Sequence, residues 1–158
     1  PYIDYVNEPV TPLFPFGHGL SYTRFKYSSL YLSSETVSAG DTLEISLQVT
    51  NSGTCAGDEV IQLYLRDEYA SMPRPVKELK GFARVSLQPG EAKTVTFHLP
   101  VNQMAFYSDE LKLVLEPGQF KVMIGSSSAD IRLNGEFTVT GERAEIPQRI
   151  FFCPVDVH

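Results

Sequence analysis

In the stretch TLEISLQVTNSGTCAGDEVIQLYLRD (Thr42–Asp67), Leu43, Ile45, Leu47 and Val49 fall on one face, and Thr42, Glu44, Ser46, Gln48 and Thr50 on the other. A period of two over this length is the pattern of a half-buried β-strand. The turn formers Asn51 to Gly57 follow. Beyond them Ile61, Leu63 and Leu65 alternate with Val60, Gln62 and Tyr64, so the second strand is partly apolar on both faces, as a strand near a sheet centre should be.

The same alternation spreads outward in both directions. It recurs at Leu79 to Leu87, breaks at the Gln88-Pro89-Gly90-Glu91 turn, and resumes in KTVTFHL, where Val95, Phe97 and Leu99 share a face. Further strands are expected at Lys26 to Leu32, Leu111 to Leu115, Gln119 to Ile124 and Ile131 to Val139, punctuated by Pro117-Gly118 and the serines Ser126 to Ser128. Seven or eight short strands with a turn signal every ten residues or so predict an all-β chain folded as a β-sandwich. The only helix-like stretch is VNQMAFYSDEL, where Met104, Phe106 and Tyr107 are expected to form a short turn on the sandwich edge. Three parts follow: a lead-in segment over 1–25, the sandwich over 26–140, and a tail over 141–158. The tail turns abruptly apolar at Ile150-Phe151-Phe152, which suggests docking.

The lead-in segment is the anomaly. PLFPFGHGLSYTRF (Pro12–Phe25) has neither period, and its prolines and glycines bar it from a helix interior or a central strand. Yet it carries Leu13, Phe14, Phe16, Leu20 and Tyr22, and burying a Phe or Leu side chain is worth roughly 1.5–3 kcal/mol. Something outside the segment is expected to cover them, with His18 among them either buried or at the contact. In ASMPRPVKELKGF (Ala70–Phe82), Pro73 and Pro75 stiffen the chain around Arg74, which leaves a solvated hairpin extension or a contact with another domain as its two readings.

Composition excludes several functions. A 158-residue chain with 42% hydrophobic residues supports a packed core, and a net charge of −6 disfavours nucleic acid and anionic membrane as partners. No apolar run approaches the ~20 residues of a membrane span. The opening PYIDYVNEPV has neither signal-peptide layout nor initiator Met, so the chain is expected to be a piece of a longer protein. Cys55 and Cys153 form no disulfide framework or CxxC site, and with three scattered histidines they predict no metal and no cofactor. They are compatible with cytoplasmic and with secreted or periplasmic settings.

Gly17-His18-Gly19 does not extend to a dinucleotide fingerprint, since Tyr22 stands where the third glycine belongs. The carboxylate pairs Asp58-Glu59, Asp67-Glu68 and Asp109-Glu110 point to opposite strand faces and build no two-carboxylate site. Tyr27, Tyr31, Tyr64, Tyr69 and Phe82 make carbohydrate an alternative partner, weakened by the absence of Trp.

PLFPFGHGLSYTRF, VTNSGTCAGDEVIQLYLRD, RPVKELKGFARVSLQPGEAKTVTF and EPGQFKVMIGSSSADIRL, in this order, resemble the C-terminal module of glycoside hydrolase family 3, the β-glucosidases and β-xylosidases. The resemblance runs from about Asp4 to Val139. It implies a fibronectin type III-like, immunoglobulin-like β-sandwich and a non-catalytic accessory role: packing on, and stabilising, the catalytic domains of the parent glycosidase. Family members carry an Asp nucleophile on a (β/α)8 barrel and a Glu acid/base on an α/β sandwich domain, both upstream of the matching segment. No catalytic residue is therefore carried over, and a chain without Trp has no Ser-Asp-Trp motif. Phe14, Phe16, His18, Leu20, Tyr22 and Arg74 are the expected domain-interface residues. A carbohydrate-binding module and a free-standing adhesion or scaffold domain are the alternatives.

Overall fold

The computed structural model describes residues 11–158, so the first ten residues of the expected lead-in segment lie outside it. The chain forms two packed sheets. One holds β1 (Phe25–Leu32), β3 (Thr42–Asn51), β6 (Ala92–Pro100) and β12 (Val155–Val157), in the order β1-β3-β6-β12. The other runs β2-β10-β9-β4-β5, from β2 (Thr36–Val37), β10 (Ile131–Val139), β9 (Gly118–Gly125), β4 (Gly57–Asp67) and β5 (Glu78–Leu87). Neighbours are antiparallel except β2, which lies parallel to β10. The chain thus changes sheets between β1 and β2 and ties the two layers together at one edge.

The alternating residues of the sequence are the core. Leu43, Ile45, Leu47 and Val49 of β3 and Val95, Phe97 and Leu99 of β6 face Ile61, Leu63 and Leu65 of β4, Val85 and Leu87 of β5, and Val122 and Ile124 of β9. All are buried. Phe120 and Phe137, paired across β9 and β10, stack at 5.5 Å between ring centroids and extend the layer toward β2.

Val101–Met104 is a short 3-10 helix, and β7 (Phe106–Tyr107), β8 (Leu113–Leu115) and β11 (Ala144–Glu145) make a small third sheet on the edge. Strand β8 starts two residues later than the alternation suggested, because Leu111 takes a left-handed φ of 60° in a turn closed by its N–H on Ser108 O. The segment over 141–158 docks on the sandwich itself. Its β12 adds to the edge of β6, with Val155 opposite Phe97, and Cys153 is buried beside Gly81 and Phe97. Burial pushes the Cys153 thiol up to about 11. Phe151 and Phe152 stay exposed.

Candidate functional site

The lead-in segment crosses the outer face of the five-stranded sheet as a strap, attached mostly through its main chain, with the Thr23 hydroxyl as a side-chain anchor. Gln62 Nε2 donates to Gly17 O at 3.1 Å and to Ser126 O at 2.5 Å, while Gln62 Oε1 accepts from the Tyr64 hydroxyl. Ser128 N donates to Phe16 O at 2.9 Å, and Ser52 N to Arg24 O at 2.8 Å. Asn51, fully buried, closes the corner: its Nδ2 donates to Cys55 O and Leu87 O, and its Oδ1 accepts from Thr23 Oγ1 and Gly53 N. Gly17 has a φ of 78°, and a Cβ there would overlap the Gln62 amide. Gln62 and Asn51 were not among the expected site residues. Their signal was present, as polar side chains at buried positions of two strongly patterned strands.

With these bonds holding the strap to the sheet, its large apolar side chains remain uncovered. Leu20 is 92% exposed and Tyr22 103%, and Leu13, Phe14 and Phe16 are exposed as well. His18 is also exposed, with its ring 5.3 Å from that of Phe14. Five of the six expected interface residues, Phe14, Phe16, His18, Leu20 and Tyr22, are therefore exposed along the strap.

Arg74 is placed differently. Its side chain is only 10% exposed and turns into its own module rather than toward a neighbour. Nη2 lies 2.7 Å from Glu78 Oε1, Nη2 also donates to Met104 O, and the guanidinium sits 4.7 Å over the Phe106 ring. Burial works against the Glu78 carboxylate, but Lys80 and Arg74 hold its pKa below the ordinary value. The prolines fix the loop, and the half-buried Glu78 carboxylate decides which way its arginine points.

Between strap and sheet lies a groove of about 920 Å³. Phe16, His18, Leu20 and Arg24 line it from the strap, and Glu59, Val60, Phe82 and Asp130 from the sandwich. Glu59 is buried; its Oε1 accepts from the Tyr27 hydroxyl at 2.7 Å and lies 3.5 Å from Arg132 Nη1. Burial pushes the Glu59 carboxyl up, against the bond of Tyr27 and the charge of Arg132. Asp130 is held low by hydrogen bonds from Arg132 and Ser126. Both carboxylates are thus engaged by one guanidinium, which also lies 4.6 Å over the Tyr27 ring.

Of the aromatic residues considered for sugar stacking, Tyr27 and Tyr64 are buried and present no ring face to solvent. Among the described residues no group of three or more His, Cys, Asp or Glu is placed to hold a metal, and no helix is long and apolar enough to cross a membrane.

Comparison with known proteins places this architecture. A fibronectin type III-like domain model matches residues 59–128. The chain is 51% identical over 118 residues to a β-xylosidase of Formosa agariphila, covering 75% of this chain and 16% of that protein. It is 48% identical over 130 residues to thermostable β-glucosidase B of Acetivibrio thermocellus, covering 82% and 17%. The crystal structure of a β-glucosidase from Listeria innocua in complex with glucose superposes with a TM-score of 0.80 at 43% identity, over 89% of this chain and 19% of that one. The chain spans about a sixth of the length of the curated relatives it matches. The two-sheet fold, the motifs and these matches agree: the chain belongs to the fibronectin type III-like C-terminal modules of glycoside hydrolase family 3.

Proposed function

We propose that this module is a non-catalytic accessory domain of a family 3 enzyme hydrolysing β-glucosides or β-xylosides, and that it packs on and stabilises the catalytic domains through the strap. The observation that carries the proposal is the strap's inverted polarity: its main chain bonds to its own sandwich, while Phe14, Phe16, Leu20 and Tyr22 stay largely exposed. Contiguous apolar surface of this kind marks an interaction site, and a module spanning about a sixth of its relatives has further domains to meet in proteins of that plan.

The test uses the longer protein that carries the module. Replacing Phe14, Leu20 and Tyr22 together by Ser is expected to lower its melting temperature and open the junction to proteolysis; an unchanged melt overturns the docking role. The module alone is expected to hydrolyse no aryl β-glucoside or β-xyloside. Retaining hydrolysis needs two free carboxyl groups roughly 5–5.5 Å apart, and the groove's three carboxylates are all paired, Glu59 and Asp130 with Arg132 and Asp58 with Arg84. Turnover that survives purification and disappears on replacing a residue of this chain defeats the non-catalytic assignment.

A further inference from the structure

Ser128 divides its main chain between the two proline-bearing segments. Its N–H donates to Phe16 O of the strap at 2.9 Å, and its carbonyl accepts from Lys77 Nζ, on the loop over Ala70–Phe82, at 2.6 Å. The rest of the turn is tied down independently. Ser126 O accepts from Gln62, Ser126 Oγ meets Asp130 and Arg132, and Ser127 Oγ accepts from the N–H groups of Ala129 and Asp130. Ser128 is therefore where a side chain of the loop and the main chain of the strap meet. The bond from Lys77 is charge-assisted, and such bonds are stronger than those between neutral groups. Arg74 turns into the module, but Val76, next to Lys77 on the same loop, is 67% exposed.

We propose that the strap and the proline-bearing loop form one docking platform for the adjoining part of the longer enzyme, and that Lys77 is its positioning residue. Lys77 fixes the Ser128 peptide, the Ser128 N–H fixes Phe16 in the strap, and Val76 is the loop's apolar contact. The proposal rests on the accessory-domain reading above and adds to it a second segment and the side chain that joins the two. An irregular segment loses conformational freedom when it docks, and bonds that hold it beforehand reduce that cost. Pro73 and Pro75 restrict the loop in the same way. Size and chain order select the occupant. About five sixths of the relatives' length lies outside this chain, and in proteins of that plan whatever precedes the sandwich reaches it through the strap.

The first arm of the test uses the 158-residue chain. Lys77→Met keeps a long side chain and removes the donor. Chymotrypsin cleavage at Phe14, Phe16, Leu20 and Tyr22 is expected to accelerate about two- to tenfold, the factor of one hydrogen bond lost from the closed form, and exchange of the Ser128 amide with it. Lys77→Arg retains a donor and should stay within about twofold of wild type, and the amides of Val122 and Ile124 in β9 should exchange as in wild type. Cleavage and exchange at wild-type rates in Lys77→Met overturn the positioning role. The second arm places p-benzoylphenylalanine at position 76 in the longer protein. Irradiation is expected to link it to a peptide outside residues 1–158; links confined to residues 1–158, of the same or a second copy, overturn the platform. If replacing Phe14, Leu20 and Tyr22 destabilises the longer protein while position 76 gives only such internal links, docking through the strap stands and the platform falls. If that replacement leaves the melt unchanged, the accessory-domain reading falls and the platform with it.

Discussion

The strap over Pro12–Phe25 and the loop over Ala70–Phe82 look alike as sequence: both combine prolines, a basic residue and apolar side chains without helical or strand period. The structure separates them by which atoms do the anchoring. In the loop, side chains hold the chain down: Ser71 Oγ donates to Glu116, Arg74 pairs with Glu78, and Lys77 Nζ donates to Ser128 O at 2.6 Å. In the strap, carbonyls of Phe16, Gly17 and Arg24 are the main anchors, joined by the Thr23 hydroxyl, and the large apolar side chains stay exposed. Proline stiffness is common to both and predicts neither direction. What decides is whether a charged partner within the module, such as the half-buried Glu78, waits for the side chain.

The largest effect expected from this contrast is at Arg74. In the isolated module, Arg74→Ala removes the pair with Glu78, the bond to Met104 O and the stacking on Phe106. Breaking a buried pair typically costs about 3–5 kcal/mol. Here Lys80, 2.7 Å from Glu78 Oε2, still neutralises the carboxylate, so about 2 kcal/mol is expected, or roughly 4–8 °C in Tm. Arg74→Lys should recover only part of this, because an ammonium lacks the planar fork and the stacking face. A loss under about 0.5 kcal/mol would put Arg74 back among the outward-facing residues.

A smaller effect should follow from unfastening the strap. Gly17→Ala asks an alanine to hold a φ of 78° and to displace the Gln62 amide. The backbone conformation alone costs about 1–2 kcal/mol. Limited proteolysis between residues 12 and 24 should accelerate while the sandwich core stays protected. Unchanged cleavage would show that the strap does not depend on the Gln62 clasp.

These contrasts also show how far the sequence was legible. A period of two survives any context in which one strand face is buried, so the main strands from Phe25–Leu32 to Ile131–Val139 could be read directly, and so could the turns at Asn51–Gly57 and Gln88–Glu91. Strand order and the sheet change between β1 and β2 rest on pairings between distant residues, which local pattern does not encode. The same holds for the tail: Phe151 and Phe152, expected to dock, stay exposed, and the tail attaches instead through Cys153 and β12, a place only the edge of β6 could specify. At the strap, apolar content revealed that a cover was needed, whereas the fastening depends on Gln62 and Asn51, single polar residues inside otherwise ordinary strands. Arg74 shows the converse, since a charge on a proline-stiffened loop looks exposed until it is seen to fold back onto Glu78, four residues on.

A third test concerns Glu59 in the groove, with a sign set by linkage. Burial raises the Glu59 carboxyl above its ordinary 4.5. The folded module therefore holds this proton more tightly than the unfolded chain, and wild-type stability from this group rises as pH falls through the folded value toward 4.5. Glu59→Gln cannot titrate. Its penalty relative to wild type should accordingly be smallest at neutral pH and grow as pH is lowered toward 4.5, in paired melts of the isolated module. Acid loss from Asp130, held below its ordinary value, runs the opposite way and is common to both proteins. A penalty independent of pH would mean that Glu59 stays ionised on folding.

The smallest effect belongs to the strap's outward side chains in the module alone. Leu20 and Tyr22 lose almost no exposure in the folded chain, so Leu20→Ser and Tyr22→Ser remove no buried area and should change isolated stability by no more than about 0.5 kcal/mol. Their presence should be felt instead in association. Exposed leucine, phenylalanine and tyrosine on one strap form an apolar surface that binds a hydrophobic dye and favours self-contact as concentration rises. The double variant should bind less dye and scatter less light at the highest concentration while melting at the wild-type temperature. A marked fall in its melting temperature would mean that the strap's side chains already support their own sandwich. The strap would then behave as the Arg74 loop does, and the distinction between the two regions would be lost.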